Sequence, residues 1–304
     1  MDINKVYDEL TLQIDKELMI LDAPMKDYTS FKAGGKAALL VQPNTIEELQ
    51  KVVRVLSQGA VNHMVMGNGT NLLIKDSGYS GVIIKLGKTF GAIEVEGDEI
   101  KAGAGVLLSE VAKKALDSSL TGFEFAAGIP GSIGGAAFMN AGAYDGEMSQ
   151  VILSAQVLSK DGSRVYEIEK DEMDLSYRHS IFQENQDIIL NVTIKLHPGE
   201  KELIREKMQE LQARREEKQP LSYPSAGSSF KRPKGHYAGK LIHDSGLRGL
   251  SLGGAQVSSL HAGFIINTGD ATASDIINLM EVVRNTVFDK FGVMLEPEVK
   301  VIGD

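Results

Sequence analysis

The stretch whose reading decides this chain runs from Gly122 to Gly146, GFEFAAGIPGSIGGAAFMNAGAYDG. It holds seven glycines and neither lysine nor arginine. Glycine serves where a backbone takes positive φ or where another atom comes within side-chain distance, so this density argues against a regular helix or strand. A solvated loop usually carries charge, whereas Ile129, Pro130, Ile133, Ala136, Ala137, Phe138 and Met139 are apolar. The segment therefore reads as a structured, ligand-binding loop with something large and flat against it; a glycine-rich surface loop is the plainer alternative.

The rest of the composition narrows what that ligand and its chemistry can be. A chain of 304 residues can bury a sizeable core and is long enough for two domains. Its formal charge of -9 argues against nucleic acid or an anionic membrane as the main partner, and an anionic small molecule would need a local basic patch. With no cysteine there is no disulfide, thiolate nucleophile, cysteine-bound zinc or iron–sulfur cluster. None of the six histidines stands in HExxH or at i, i+4 spacing, so no metal is expected. The acidic N-terminus, MDINKVYDELTLQID, has no apolar run of the kind that begins a secretory signal or a membrane span, and a cytoplasmic protein is expected. No surface for a protein partner is evident.

Upstream, Val6, Leu10, Ile14 and Leu18 recur every four residues and predict one amphipathic helix over Val6 to Leu18. An apolar strand at Ala37 to Val41 precedes Thr45 and Glu48, a capping-box pair opening a helix, and His63 to Met66 reads as a second strand. Directly after it comes Gly67-Asn68-Gly69-Thr70-Asn71. Such a turn can offer consecutive N–H groups to a phosphate, and equally can be a plain hairpin. Gly87-Lys88-Thr89 ends like a Walker A loop, but Val82 stands where its first glycine belongs. Hairpins are predicted around Glu96 to Glu99 and around Lys160-Asp161-Gly162, with a helix from Leu108 to Leu116 between them. No GxGxxG opens a helix, so a dinucleotide here would not be held in the Rossmann manner.

Downstream, Glu200 to Lys218 is a charged, solvated helix at a composition boundary. From Arg214 to Lys240 seven basic residues face two acidic ones, a local net of +5. Then come a helix at Ala238 to Ser245, strands around Gly249 to Ser258 and Phe264 to Asn267, and a helix opened by Thr272 with Asp275 and stopped near Gly292. A last strand is predicted over Val293 to Ile302.

Five separated segments, GNGTNLLI at 67–74, GIPGSIGGAAFMNAGAYDGE at 128–147, SYRHSIF at 176–182, SAGSSFKRP at 225–233 and LEPEV at 295–299, together resemble the flavin-dependent UDP-N-acetylenolpyruvoylglucosamine reductases of peptidoglycan synthesis. The resemblance runs over nearly the whole chain. It implies an α+β protein with an FAD-binding fold of the vanillyl-alcohol oxidase type over residues 1–198, made of two subdomains of about 1–88 and 89–198. A C-terminal α+β substrate-binding domain would occupy 199–304, its last strand returning to the active site. Only a short segment separates SYRHSIF from Asp187, so the chain resembles the shorter branch, without the insert that closes a tyrosine over the substrate; Tyr237 is the stand-in considered.

The resemblance also implies roles. Gly67, Asn68, Gly69, Thr70 and Asn71 would hold the FAD pyrophosphate, and Gly128, Ile129, Pro130, Gly131, Ser132, Ile133 and Gly134 would lie along the flavin with Asn140, Gly142 and Ala143 nearby. The cofactor would be non-covalent, with NADPH as co-substrate. Arg178 and Glu298 would stabilise an enolate-like intermediate, and Ser228 would deliver a proton. Ser229 adjoins Ser228, and register alone separates them. Lys218, Arg232, Lys240 and His261 are the candidates for contacts to the UDP-sugar. Two other readings stand beside this one: another FAD-dependent oxidoreductase of the same fold, and a non-redox nucleotide-sugar-binding protein.

Overall fold

The computed structural model describes residues 2–87 and 90–304. Lys88 and Thr89, and with them part of the GKT stretch and the expected subdomain boundary at 88, lie outside the described residues. The chain folds into two compact units, neither of them a single run of sequence. One comprises Met1–Leu21, Leu39–Asn68 and Gly81–Arg214; the other comprises Asp22–Ala38, Gly69–Ser80 and Arg215–Asp304.

In the first unit, helix Ile46–Gln58 begins as its sequence predicts. The Thr45 side chain accepts from Glu48 N while Glu48 reaches back to the Thr45 N–H, and Leu49, Val52, Val53, Val55 and Leu56 are buried. Each such side chain contributes about 1.5–3 kcal/mol relative to exposure. His63–Met66 pairs in parallel with Val82 to Lys85. The larger sheet is antiparallel throughout, in the order Val165–Glu169, Ile152–Leu158, Ile188–Lys195, Glu99–Gly103, Ile93–Glu96. Both predicted hairpins are in it, and helix Leu108–Asp117 buries Leu108, Val111, Ala112 and Ala115 in the same core.

Two expectations for this unit need correcting. The single helix over Val6 to Leu18 is instead an α-helix, Ile3–Thr11, followed by a 3-10 turn, Lys16–Leu18. Asp15 caps that turn by accepting from Glu17 N at 3.0 Å. Ile14 stays buried beyond the helix end, so apolar spacing continued after the helical backbone had stopped. The glycine-dense stretch, expected to be irregular, contains a seven-residue helix, Ile133–Met139. Its glycines allow close packing: a Cβ on Gly134 would lie 2.7 Å from the Ala104 Cβ.

The second unit has its own core, with Phe31, Leu73, Ile276, Leu279, Val283, Val287 and Leu295 fully buried. A three-stranded antiparallel sheet, Ser251–Leu252, Ala255–Val257 and Ile265–Asn267, packs with helices Ala238–Asp244 and Ala273–Phe291. The long helix has the expected ends, a Thr272–Asp275 capping box and Gly292 at φ 66. The last strand is shorter than expected. Only Lys300–Ile302 is a strand, in parallel with Leu72–Ile74. Pro297 lacks an N–H for a continuous ladder and makes a single bridge to Phe230.

Candidate active site

Two glycine segments meet within the first unit. The missing side chain of Gly67 is a steric requirement, since a Cβ there would sit 2.2 Å from Ser132 Oγ. Asn68 Nδ2 donates to the Pro130 carbonyl at 2.7 Å. The Gly128 to Gly134 loop is itself held down by Leu108 N to Gly131 O at 3.0 Å, Ile133 N to Val106 O at 2.8 Å and Gly134 N to Ala104 O at 3.0 Å. Ser132 then caps the helix, its Oγ accepting from Gly135 N. Among the described residues, the N–H groups of Gly67, Asn68, Gly128, Gly131 and Ser132 donate to no protein acceptor. Unpaired backbone donors call for a polar partner, and a cluster of them without basic side chains suits an uncharged ring edge or a phosphate.

Further along, Gly142 and Ala143 pair antiparallel with Glu147 and Gly146. A Cβ on Gly142 would meet Gly146 O at 2.5 Å, so this glycine serves the hairpin. Asn140, expected beside the flavin, is fully buried at φ 41, and both ends of its amide are engaged. Oδ1 accepts from Ser149 N at 2.8 Å and Nδ2 donates to the Ser176 carbonyl at 3.0 Å.

That second bond leads to Arg178. Ser176 and His179 exchange backbone hydrogen bonds of 3.0 and 3.2 Å around Arg178, which sits at φ 57 with its guanidinium 5.0 Å from the Tyr177 ring centre. His179 Nε2 lies 3.1 Å from Asp174 Oδ2 and 3.7 Å from Glu184 Oε1.

In the second unit, Gly69 to Asn71 continues the glycine loop. Gly69 is buried, its carbonyl accepts from Ser30 N at 3.0 Å, and the N–H groups of Gly69, Thr70 and Asn71 have no protein acceptor among the described residues. Asn71 Nδ2 donates to the Glu298 carbonyl at 3.1 Å. Glu298 N donates to Ser229 O at 2.9 Å and Lys231 N to Glu296 O at 2.8 Å, so the serine segment runs beside the Glu296–Glu298 segment. The structure thus brings Ser228, Glu298 and Gly69 to Asn71 together in one unit, while Gly67, Asn68 and Arg178 belong to the other.

The two adjacent serines sit in different surroundings. Ser229 is fully buried, and its Oγ accepts from Ile265 N at 2.9 Å while its own N–H donates to Gly263 O. Its hydroxyl is occupied in holding strands together. Ser228 is half-buried, bridges Phe264 through its backbone, and by strand alternation points the other way.

Of the candidates for the sugar nucleotide, Arg232 stacks on Tyr237 at 4.0 Å from the ring centre, which joins two residues singled out separately in sequence. Lys240 pairs with Asp244 at 2.7 Å, and Lys218 is exposed on the last turn of helix Lys201–Lys218. His261 is half-buried; its Nδ1 accepts from Gly263 N at 3.1 Å, and burial pushes its pKa down, which keeps the ring neutral. It could serve a ligand as a hydrogen-bond donor through Nε2, not as a cation.

Comparison with known proteins agrees with this geometry. Residues 37–166 match the model of an FAD binding domain, and residues 219–302 match that of the UDP-N-acetylenolpyruvoylglucosamine reductase C-terminal domain. The UDP-N-acetylenolpyruvoylglucosamine reductase of Clostridium botulinum strain Hall is 52% identical over 286 residues, covering 94% of this chain and 93% of that protein. The crystal structure of the reductase of the same name from Thermus caldophilus superposes with a TM-score of 0.80 at 35% identity, covering 93% and 97% of the two chains. Phl p 4.0202, a glucose dehydrogenase, shares the fold alone, with a TM-score of 0.52 at 16% identity over 65% of this chain and 44% of that one. Fold and site therefore define an FAD-binding protein with the vanillyl-alcohol oxidase type of cofactor domain. The chain belongs to the UDP-N-acetylenolpyruvoylglucosamine reductase family.

Proposed function

We propose that this protein reduces the enolpyruvyl ether of UDP-N-acetylglucosamine enolpyruvate to UDP-N-acetylmuramate at the expense of NADPH, a step in making peptidoglycan precursors. The observation that carries the residue assignment is the pairing of the serine segment with the Glu298 segment, itself tied to the glycine loop through Asn71. The acceptor-free N–H groups of Gly67 to Asn71 and of Gly128, Gly131 and Ser132 fit non-covalent FAD, and Ile133 and Gly134 continue the loop that carries the latter three. When bound, FAD supplies the redox chemistry, taking hydride from NADPH and giving it to the methylene carbon of the substrate.

The side chains manage charge and proton. Hydride arriving at the methylene carbon leaves an electron pair at the neighbouring carbon, delocalised into the carboxylate. Arg178 offsets that charge, and Glu298 shapes the enolate-like state. Ser228 then donates its proton to the neighbouring carbon, which completes the C–H bonds of the lactyl ether. Residues 199–304 form the substrate side, with Arg232, stacked on Tyr237, and Lys218 and Lys240 facing the diphosphate and His261 donating a hydrogen bond. Asn140 supports the shelf from beneath through its amide, as do Gly142 and Ala143 through their hairpin. The reaction has a cytoplasmic setting in this reading. No helix among the described residues is long and apolar enough to cross a membrane.

The test is spectral. Purified protein should show oxidised flavin that moves to the supernatant on heat denaturation. Under anaerobic conditions it should bleach with NADPH and recover its colour on adding the enolpyruvyl sugar. A protein that neither carries nor takes up FAD, or whose reduced flavin ignores the sugar, would overturn the reading.

A further inference from the structure

We propose that Asn140, Ser180 and Gln183 are positioning residues for Arg178, and that they act by fastening its turn to the end of helix Ile133–Met139. This rests on the reading of Arg178 as the residue that meets the substrate carboxylate. The turn from Ser176 to His179 is tied to that helix end by three side-chain bonds: Asn140 Nδ2 to Ser176 O at 3.0 Å, Ser180 Oγ to Phe138 O at 2.6 Å and Gln183 Nε2 to Phe138 O at 3.1 Å. Gln183 Nε2 also donates to the carbonyl of Arg178 itself, at 3.0 Å. Asn140 and Ser180 are fully buried, so nothing in solvent competes for their bonds.

Two features argue that this clamp serves more than packing. The carbonyl of Phe138 belongs to the last turn of its helix, where acceptors lack intrahelical partners, and the two donors that satisfy it come from the segment just after Arg178. Among the described residues, six of the ten non-glycine residues at positive φ fall between Asn140 and Gln186, Arg178 included. Such a backbone is unfavourable for a residue with a side chain and persists where its surroundings over-determine it, which is the signature of a held geometry.

The same helix connects this clamp to the cofactor shelf. Its first end is Ser132, packed on Gly67; its last is Phe138 and Asn140, bonded to the Arg178 turn. Seven residues of helix span about 10 Å. The helix thus acts as a rigid spacer that sets Arg178 relative to the loop expected to lie along the flavin. A displacement of about 1 Å at a reacting centre can cost about 100-fold in rate, so loosening the clamp should be felt in one chemical step.

Gln183→Met keeps the side-chain length and removes both donations, and Ser180→Ala removes one. Each variant, with Arg178→Ala alongside, would be followed in the two half-reactions: bleaching by NADPH, and reoxidation of the reduced protein by the enolpyruvyl sugar. The thermal midpoint of the apoprotein and the rate of FAD dissociation would be measured as well. We expect reoxidation to slow about 10- to 100-fold in Gln183→Met, with bleaching and FAD dissociation within about twofold of the unmodified protein, and Ser180→Thr to recover what Ser180→Ala loses. Equal loss in both half-reactions, tracking a lower apoprotein midpoint, would reduce the clamp to a structural role and overturn the proposal. Normal reoxidation in Gln183→Met while Arg178→Ala is impaired would overturn it too, leaving the role of Arg178 intact; normal reoxidation in Arg178→Ala would remove the reading beneath it.

Discussion

The side-chain amide of Asn71 donates to the backbone carbonyl of Glu298 at 3.1 Å, and Lys300 N returns a bond to the Asn71 carbonyl at 3.0 Å. The glycine loop is thereby stitched to the segment that presents Glu298, with 227 positions between them in sequence. Asn71→Ala should lose about 0.5–1.5 kcal/mol of stability and release FAD faster than the unmodified protein. Thermal melts with and without added FAD check both effects; an unchanged melt and unchanged flavin release would mean that the tether carries no energy.

The two adjacent serines should separate cleanly. Ser229→Ala leaves the buried Ile265 N–H without its acceptor and should destabilise by about 1–3 kcal/mol. Ser228→Ala should leave the melt nearly unchanged and abolish most of the reoxidation by the enolpyruvyl sugar. If the two variants exchange these behaviours, the assignment of the proton donor is wrong.

Asp76 accepts from Ala273 N at 2.8 Å, Ser274 N at 2.7 Å and Ser274 Oγ at 2.6 Å, at the start of the longest helix. Desolvation works against its charge, but the Ser274 and Ala273 hydrogen bonds outweigh it and hold the carboxyl below its usual pKa. A carboxylate lowered in the folded state stabilises fully above its unfolded pKa of about 4, and that stabilisation disappears as pH falls through the lower folded value. Asp76→Asn should therefore destabilise the protein at neutral pH and progressively less below about pH 4. Melting curves of both proteins across that range read the difference, and a gap that stays constant into acid would contradict the role given to the charge.

Gly134 is one of the positions where the glycine-rich stretch tolerates no side chain. Gly134→Ala would place a methyl 2.7 Å from the Ala104 Cβ and 3.0 Å from its carbonyl oxygen, neither of which can swing aside. The expected cost is about 1–3 kcal/mol, together with weaker FAD retention because the shelf must shift. A denaturant midpoint and flavin content equal to those of the unmodified protein would show that the shelf can give way.

His261 gives a check on electrostatics. Its pKa is lowered by burial, so its contribution to stability is present above the ordinary histidine value and lost as pH falls through the depressed one. An imidazole NMR titration should show a midpoint below the ordinary histidine value; a midpoint at or above it would contradict the buried, acceptor Nδ1.

Much of the fold was legible because its signals are local. Thr45 with Glu48, Thr272 with Asp275 and Gly292 act within one helical turn, and Lys160-Asp161-Gly162 acts within one hairpin. The site was legible as segments, through the density of glycine in GNGTN and GIPGSIGG and the resemblance those segments carry. Its wiring was not. A buried asparagine and one facing a cofactor have the same neighbours in sequence, and only the positions of Ser149 and Ser176 show that both ends of the Asn140 amide have protein partners. The helix inside the glycine stretch was missed because glycine density signals backbone freedom and close approach alike, and Ala104, which decides between them, lies thirty residues away.

By itself, then, the sequence determined the elements whose ends are set by residues within a few positions of each other, the absence of cysteine chemistry, and the family. Tertiary structure alone decided which of two adjacent serines is committed to a buried hydrogen bond, where the last strand begins, and what holds the Arg178 turn. The reason is physical: a cap or a hairpin is stabilised by neighbours in the chain, whereas the hydroxyl of Ser229, the backbone of Pro297 and the amide of Gln183 are committed by partners that only folding brings near.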